Sequence, residues 1–158
     1  MAEDIIVLGE TKEENYSSLL LQIKGLINGE EDVIANMANI CAALKFGMNF
    51  FWVGFYIVKN DILVLGPFQG PVACTRIQKG KGVCGTAWDK NETIIVDDVD
   101  SFPGHIACSS QSKSEIVIPI INKQNDVVAV LDIDSDLYST FDKIDAKYLS
   151  ELTQMLVF

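Results

Sequence analysis

Between Leu44 and Phe50 the hydrophobic period of the chain changes, and this change restricts the available folds more than any other feature. Upstream, apolar residues recur at spacings of three and four; downstream they form continuous runs bounded by turn residues, the pattern of strands. The upstream spacing predicts a helix over residues 11–28. Tyr16, Leu19, Leu20, Ile23, Leu26 and Ile27 share its apolar face, Thr11 and Glu14 form a capping pair, and Gly29 supplies a stop. A second helix places Val33, Met37, Ile40, Cys41 and Leu44 on one stripe, with Gly47 expected just past its end.

Downstream, 50–58 and 62–65 read as a hairpin turning at Lys59-Asn60-Asp61, and 115–121 with 127–133 as a second one across 122–126. Between them lie an extended stretch at 72–77, a helical turn at 85–90, a strand at 93–96 and a polar loop at 97–112. A loop of that length points to function, and this one holds Pro103, Gly104, the single histidine and a cysteine. Phe141, Ile144, Tyr148, Leu149, Leu152 and Met155 mark a closing helix, with Thr140 as its expected N-cap. Short hairpin connections favour an antiparallel sheet with helices packed on one face, an α+β arrangement, over a doubly wound parallel sheet. The 158 residues, 49 % of them hydrophobic, suffice for one core, so 1–158 is read as a single domain.

Charge and composition exclude several function classes. A formal charge of −10 opposes a nucleic-acid partner, whose affinity comes from clustered Lys and Arg. No apolar run approaches the roughly 18 residues a membrane span requires. Residues 1–10 do not have the pattern of an export signal, since Glu3 and Asp4 precede any apolar run, so a cytoplasmic location is expected. In that compartment the four cysteines rest as thiols rather than as structural disulfides, and the expected target is a small molecule.

Cys41 lies on the apolar stripe of the second helix and reads as packing. Cys74, Cys84 and Cys108 each sit in a Gly- or Pro-bearing segment without amphipathic pattern, and together read as a thiol redox set. The rival is zinc: His105 and Cys108 have H-x-x-C spacing and would join Cys74 and Cys84 in a Cys₃His site. The nine residues between Cys74 and Cys84 are the wrong spacing for a close ligand pair, and no metal or cofactor is expected. Lys79, Lys81 and the glycine-rich backbone are expected to lower the pKa of Cys84. Gly80-Lys-Gly-Val-Cys-Gly85 lacks the Gly-Lys-Ser/Thr ending of a phosphate loop; its glycines are expected to allow positive φ and turn amides toward a small ligand. Glu115 opens one apolar strand, and Asp132 and Asp134 share a face at the end of another, so these carboxylates suit a ligand with an ammonium group and an oxygen needing a proton.

Trp52-Val-Gly-Phe-Tyr56, Leu65-Gly-Pro-Phe-Gln-Gly70, Gly80-Lys-Gly-Val-Cys-Gly-Thr86, Pro103-Gly-His-Ile-Ala-Cys108, Ser114-Glu-Ile-Val-Ile-Pro119 and Leu131-Asp-Ile-Asp-Ser135 occur in this order. In these motifs, which cover most of the chain, the sequence resembles the free methionine-(R)-sulfoxide reductase family of GAF domains. The resemblance implies a GAF fold with a sheet of six antiparallel strands, helices on one side and an enclosed small-molecule pocket on the other. It implies that Cys74, Cys84 and Cys108 are the redox cysteines and that Glu115, Asp132 and Asp134 are substrate-pocket carboxylates. Trp52 corresponds to a tryptophan that packs on the substrate S-methyl group. A homodimer and a thioredoxin-like reductant are implied as well. Where family members often have Asp after the third cysteine, this chain has Ser109.

The expected reaction turns free L-methionine (R)-S-oxide and two thiols into methionine, water and a disulfide. Cys108 is read as the nucleophile, Cys84 as the first resolving thiol and Cys74 as the alternate. Glu115 and Asp134 activate the sulfoxide oxygen, and Asp132 takes the substrate ammonium. The competing reading is a GAF sensor that binds a small ligand without turnover.

Overall fold

The computed structural model describes residues 4–158. Two helices come first, α1 (Lys12–Leu26) and α2 (Val33–Met48), followed by strands β1 (Trp52–Lys59), β2 (Ile62–Gln69) and β3 (Arg76–Ile77). A short helix α3 (Gly82–Lys90) then leads to β4 (Ile94–Val96), a single 3-10 turn (Val99–Ser101), the hairpin β5 (Ser114–Ile121) and β6 (Val127–Ser135), and α4 (Lys143–Thr153). The strands form one antiparallel sheet in the order β3-β2-β1-β6-β5-β4. Among the described residues, no helix is long and apolar enough to cross a membrane.

The period-2 alternation of the strands divides the molecule into two cores. Val53, Phe55, Ile116, Ile118, Leu131 and Ile133 face α1, α2 and α4; Trp52, Tyr56, Val117 and Val130 face the other way, toward α3. The three long helices thus occupy one face as expected, and α3 closes over part of the other.

Local differences from the sequence reading have identifiable causes. Gly47 lies inside α2 instead of ending it, because its missing side chain admits Leu19, Val7 and Ile5; Asn49, at φ 57°, makes the left-handed cap. Thr140 is not the N-cap of α4. Its hydroxyl bonds the Ser135 hydroxyl at 2.7 Å, and Asp142 caps the helix in a reciprocal box with Asp145. β2 runs past Leu65 to Gln69, while β3 pairs only at Leu63 and Val64, so Pro67 sits on an edge where its missing N–H costs no ladder bond.

Candidate active site

The central strands bring the acidic residues together by register. Asp134 on β6 pairs with Trp52 of β1 on one side and Glu115 of β5 on the other; two residues along, Asp132 pairs with Gly54 and Val117. All these side chains project from the α3 side of the sheet. Gly54 is the vacancy that lets the Trp52 indole lie down, since a Cβ there would run into the Trp52 ring and meet the Phe68 side chain at 2.7 Å. The indole stacks on Phe68 and Tyr56, with centroids 5.5 and 6.2 Å away, and donates from Nε1 to the Pro71 carbonyl at 2.9 Å.

Glycines also bring Cys84 to the site on the first turn of α3. Gly80 and Gly82 take φ values of 74° and 60°, and at Gly85 any Cβ would strike the Gln78 carbonyl oxygen. The positive φ values agree with the sequence reading, but these amides do not all face a ligand: Gly80 N–H donates to Gly85 and Lys81 N–H to Gln78. Lys79 extends toward Asp89 and over Trp88 rather than toward the thiol.

The resulting pocket is lined by Trp52, Cys84, Cys108, Glu115, Asp132 and Asp134, so six of the seven site residues read from the sequence border one cavity. The seventh, Cys74, packs beside that lining and is joined to Cys108 by a disulfide, Cα to Cα 5.3 Å. The bond pairs Cys108 with the residue expected as alternate resolver and leaves Cys84 a buried thiol. It also occupies two members of the Cys₃His zinc set. Cys41 is the packing thiol expected on α2, buried on the opposite face with its Sγ 3.3 Å from the Pro67 carbonyl oxygen.

The electrostatics of the cluster are those of acids crowded out of water. The Cys84 Sγ lies 4.0 Å from Glu115 Oε1, and ligating atoms of Cys84, Glu115 and Asp132 all lie within 4.8 Å of one another, a spacing suited to an ammonium group or a small cation. Burial, then the neighbouring Asp132 and Glu115 carboxylates, push the Cys84 thiol well above its ordinary value, contrary to the lowering expected from nearby lysines. Burial followed by the charges of Asp132 and Asp134 likewise pushes Glu115 up, and burial followed by Asp132 pushes Asp134 up. Asp132 rises less, to about 6, because contacts with Cys84 and Glu115 oppose the effect of burial. Its Oδ1 is buried and finds no hydrogen-bond partner among the described residues. Burial and mutual repulsion thus favour the protonated form of Glu115 and Asp134 more strongly than that of Asp132.

The sequence reading assigned no role to several other lining residues, among them Tyr56, Val83, Ile106 and Ser112. Tyr56 had a signal, since period 2 places it on the same strand face as Trp52 and Gly54.

The chain matches the GAF domain family over residues 29–156. GAF domain-containing protein A of Dictyostelium discoideum is 59% identical over 157 residues, 99% of each chain. The free methionine-R-sulfoxide reductase of Escherichia coli (strain K12) is 44% identical over 146 residues, covering 92% of this chain and 88% of that protein. The X-ray structure of free methionine-R-sulfoxide reductase from Neisseria meningitidis, in complex with its substrate, has a TM-score of 0.95 and 48% identity, covering 99% of this chain and 93% of that one.

Proposed function

Because the chain belongs to the free methionine-(R)-sulfoxide reductase family of GAF domains, we propose that it reduces free L-methionine (R)-S-oxide to L-methionine through a cysteine sulfenic acid and an intramolecular disulfide. The observation that carries this reading is the Cys74–Cys108 disulfide beside a pocket floored by buried carboxyl groups. The disulfide is the product state of such a reaction, and a sensor that only binds its ligand has no need of it.

Each residue then has a chemical task. The unpartnered Asp132 oxygen receives the substrate ammonium, and the Trp52 indole packs on the S-methyl group. Glu115 or Asp134, holding its proton, donates it to the sulfoxide oxygen as the Cys108 thiolate attacks sulfur. Methionine departs and Cys108 is left as a sulfenic acid. Cys74 attacks the Cys108 sulfur; the S–O bond breaks, the hydroxyl leaves as water with the thiol proton, and the disulfide closes. Cys84 is poorly suited to attack, because its buried acidic surroundings disfavour the thiolate. In this scheme it resolves only when Cys74 is missing.

Residues 1–158 act as one domain, the protein works in the cytoplasm against oxidative stress as a homodimer, and a thioredoxin-like protein reduces the disulfide. These five points rest on the sequence pattern and the family resemblance. The acidic composition supports the absence of a nucleic-acid partner.

The test is a stereoisomer-resolved assay on free and peptide-bound methionine sulfoxide. Asp132 recognises an α-ammonium charge that a peptide bond removes, and a fixed thiol and proton donor meet one configuration at sulfur. Methionine should therefore form from the free (R) epimer alone. Equal rates on free and peptide-bound substrate would remove the reading.

A further inference from the structure

Tyr56 belongs to a motif of the sequence that the proposed chemistry leaves without a task, yet it is 1% exposed and its hydroxyl is committed to one acceptor. That hydroxyl donates to the main-chain carbonyl of Cys74 at 2.9 Å. Four residues earlier on the same strand face, Trp52 donates to the Pro71 carbonyl at the same distance. The backbone between these two carbonyls is the short irregular stretch linking β2 to β3, and its outward residue Val72 is 87% exposed. On its upstream side Gly70, at φ 136°, passes so close to the indole that a Cβ would lie 2.6 Å from Trp52 Cδ1. Downstream, the chain returns to the sheet where Leu65 N–H donates to the Thr75 carbonyl. Two aromatic donors from β1 therefore staple an otherwise exposed segment, and the second staple falls on the residue whose sulfur is joined to Cys108.

We propose that Tyr56 is a positioning residue for the resolving step: its hydroxyl, through the Cys74 carbonyl, holds the 71–74 segment where Cys74 Sγ meets the Cys108 sulfenic acid. The inference rests on the redox reading above, in which Cys74 Sγ attacks the sulfenic sulfur, the S–S bond forms and water leaves. Tyr56 neither gains nor loses a proton in that step. It restricts the arc swept by Cys74, and so raises the effective concentration of the second thiol at the first. Its influence falls after methionine has left, which separates it from every group that acts on the sulfoxide.

Tyr56→Phe removes only the hydroxyl and keeps the ring against Trp52. Cys74 is only partly buried, so water can solvate its freed carbonyl and the fold should hold; a thermal melt within a few degrees of wild type verifies this. The experiment follows a single turnover of the pre-reduced enzyme with methionine (R)-sulfoxide, without added reductant. Methionine release is followed by chromatography, and disulfide closure and sulfenic acid by mass spectrometry after dimedone trapping. Closure should slow about tenfold relative to release, the order one hydrogen bond supplies, with a matching rise in trapped Cys108 sulfenic acid. The Tyr56→Phe disulfide should also be reduced more readily by dithiothreitol at equilibrium. Closure at the wild-type rate, or release and closure slowed by one common factor, overturns the positioning role. Absence of methionine from the wild type defeats the reductase reading instead, so the two failures are told apart in one experiment.

Discussion

The two faces of the sheet each bury an aspartate and a cysteine, and the ways they do so differ. On the helix face Asp145 is 1% exposed and fully partnered: it accepts from the Tyr16 hydroxyl at 2.6 Å, pairs with Lys12 Nζ at 2.6 Å and accepts the Asp142 N–H at 2.8 Å. On the pocket face Asp132 is 6% exposed, has two other carboxyl groups and a thiol around it, and leaves Oδ1 without a partner. Burying a carboxylate is costly unless its oxygens are bonded. The partnered residue helps to fix α1 against α4, whereas the unpartnered one holds its bonding capacity for a ligand. Cys41 and Cys84 repeat the contrast, one a packing thiol beneath a helix and the other a thiol among acids.

Substitutions on the two faces should therefore separate stability from chemistry. The largest effect is expected from Asp145→Ala, which strips the acceptor from a buried Tyr16 hydroxyl and the anion from a partly exposed Lys12. Chemical denaturation should show a loss of about 3 kcal/mol, with methionine yield per folded chain unchanged. An equal loss of activity in the folded fraction would erase the distinction between the faces. Glu115→Gln keeps the shape but cannot donate an acidic proton, and the chemical rate should fall about 10²-fold while the melting temperature holds or rises. Activity near wild type would return Glu115 to a structural role.

Asp132 ties the comparison to pH. Its pKa rises from an ordinary 3.8 to about 6 in the fold, so between these values the folded chain binds more protons than the unfolded one. Stability then falls as pH rises through that window. Asp132→Asn should flatten this part of the pH–stability curve and weaken apparent substrate affinity through the lost ammonium contact. An unchanged curve would mean that Asp132 is not held above its ordinary value. The smallest effect belongs to Cys41→Ala, a stability loss of about 1 kcal/mol without change in methionine yield.

Much of this contrast could be read from the residues themselves. Period 2 put Asp132 and Asp134 on one face, the turn residues placed both hairpins, and the cysteine contexts separated Cys41 from the other three. What stayed hidden depended on distance in the chain. Cys74 and Cys108 are 34 residues apart, and their pairing depends on where two loops meet. The raised thiol of Cys84 was not legible because Lys79, near it in sequence, extends over Trp88, while the acids around it arrive from β5 and β6. At residue 140 two local capping patterns competed, and the Ser135 hydroxyl drew Thr140 away from the helix. Tyr56 was visible as a strand-face aromatic, but its acceptor lies 18 residues away.

The most direct test of the account is methionine yield per chain in one turnover without reductant, paired with mass spectrometry of the oxidised cysteine. Cys108→Ser should yield none, because serine is far less nucleophilic and no sulfenic acid can form. Cys74→Ser should yield about one methionine and stop as a Cys108 sulfenic acid or a slow disulfide with Cys84. A full yield from Cys108→Ser with none from Cys84→Ser would contradict the account, and would make the buried thiol among the acids the attacking group.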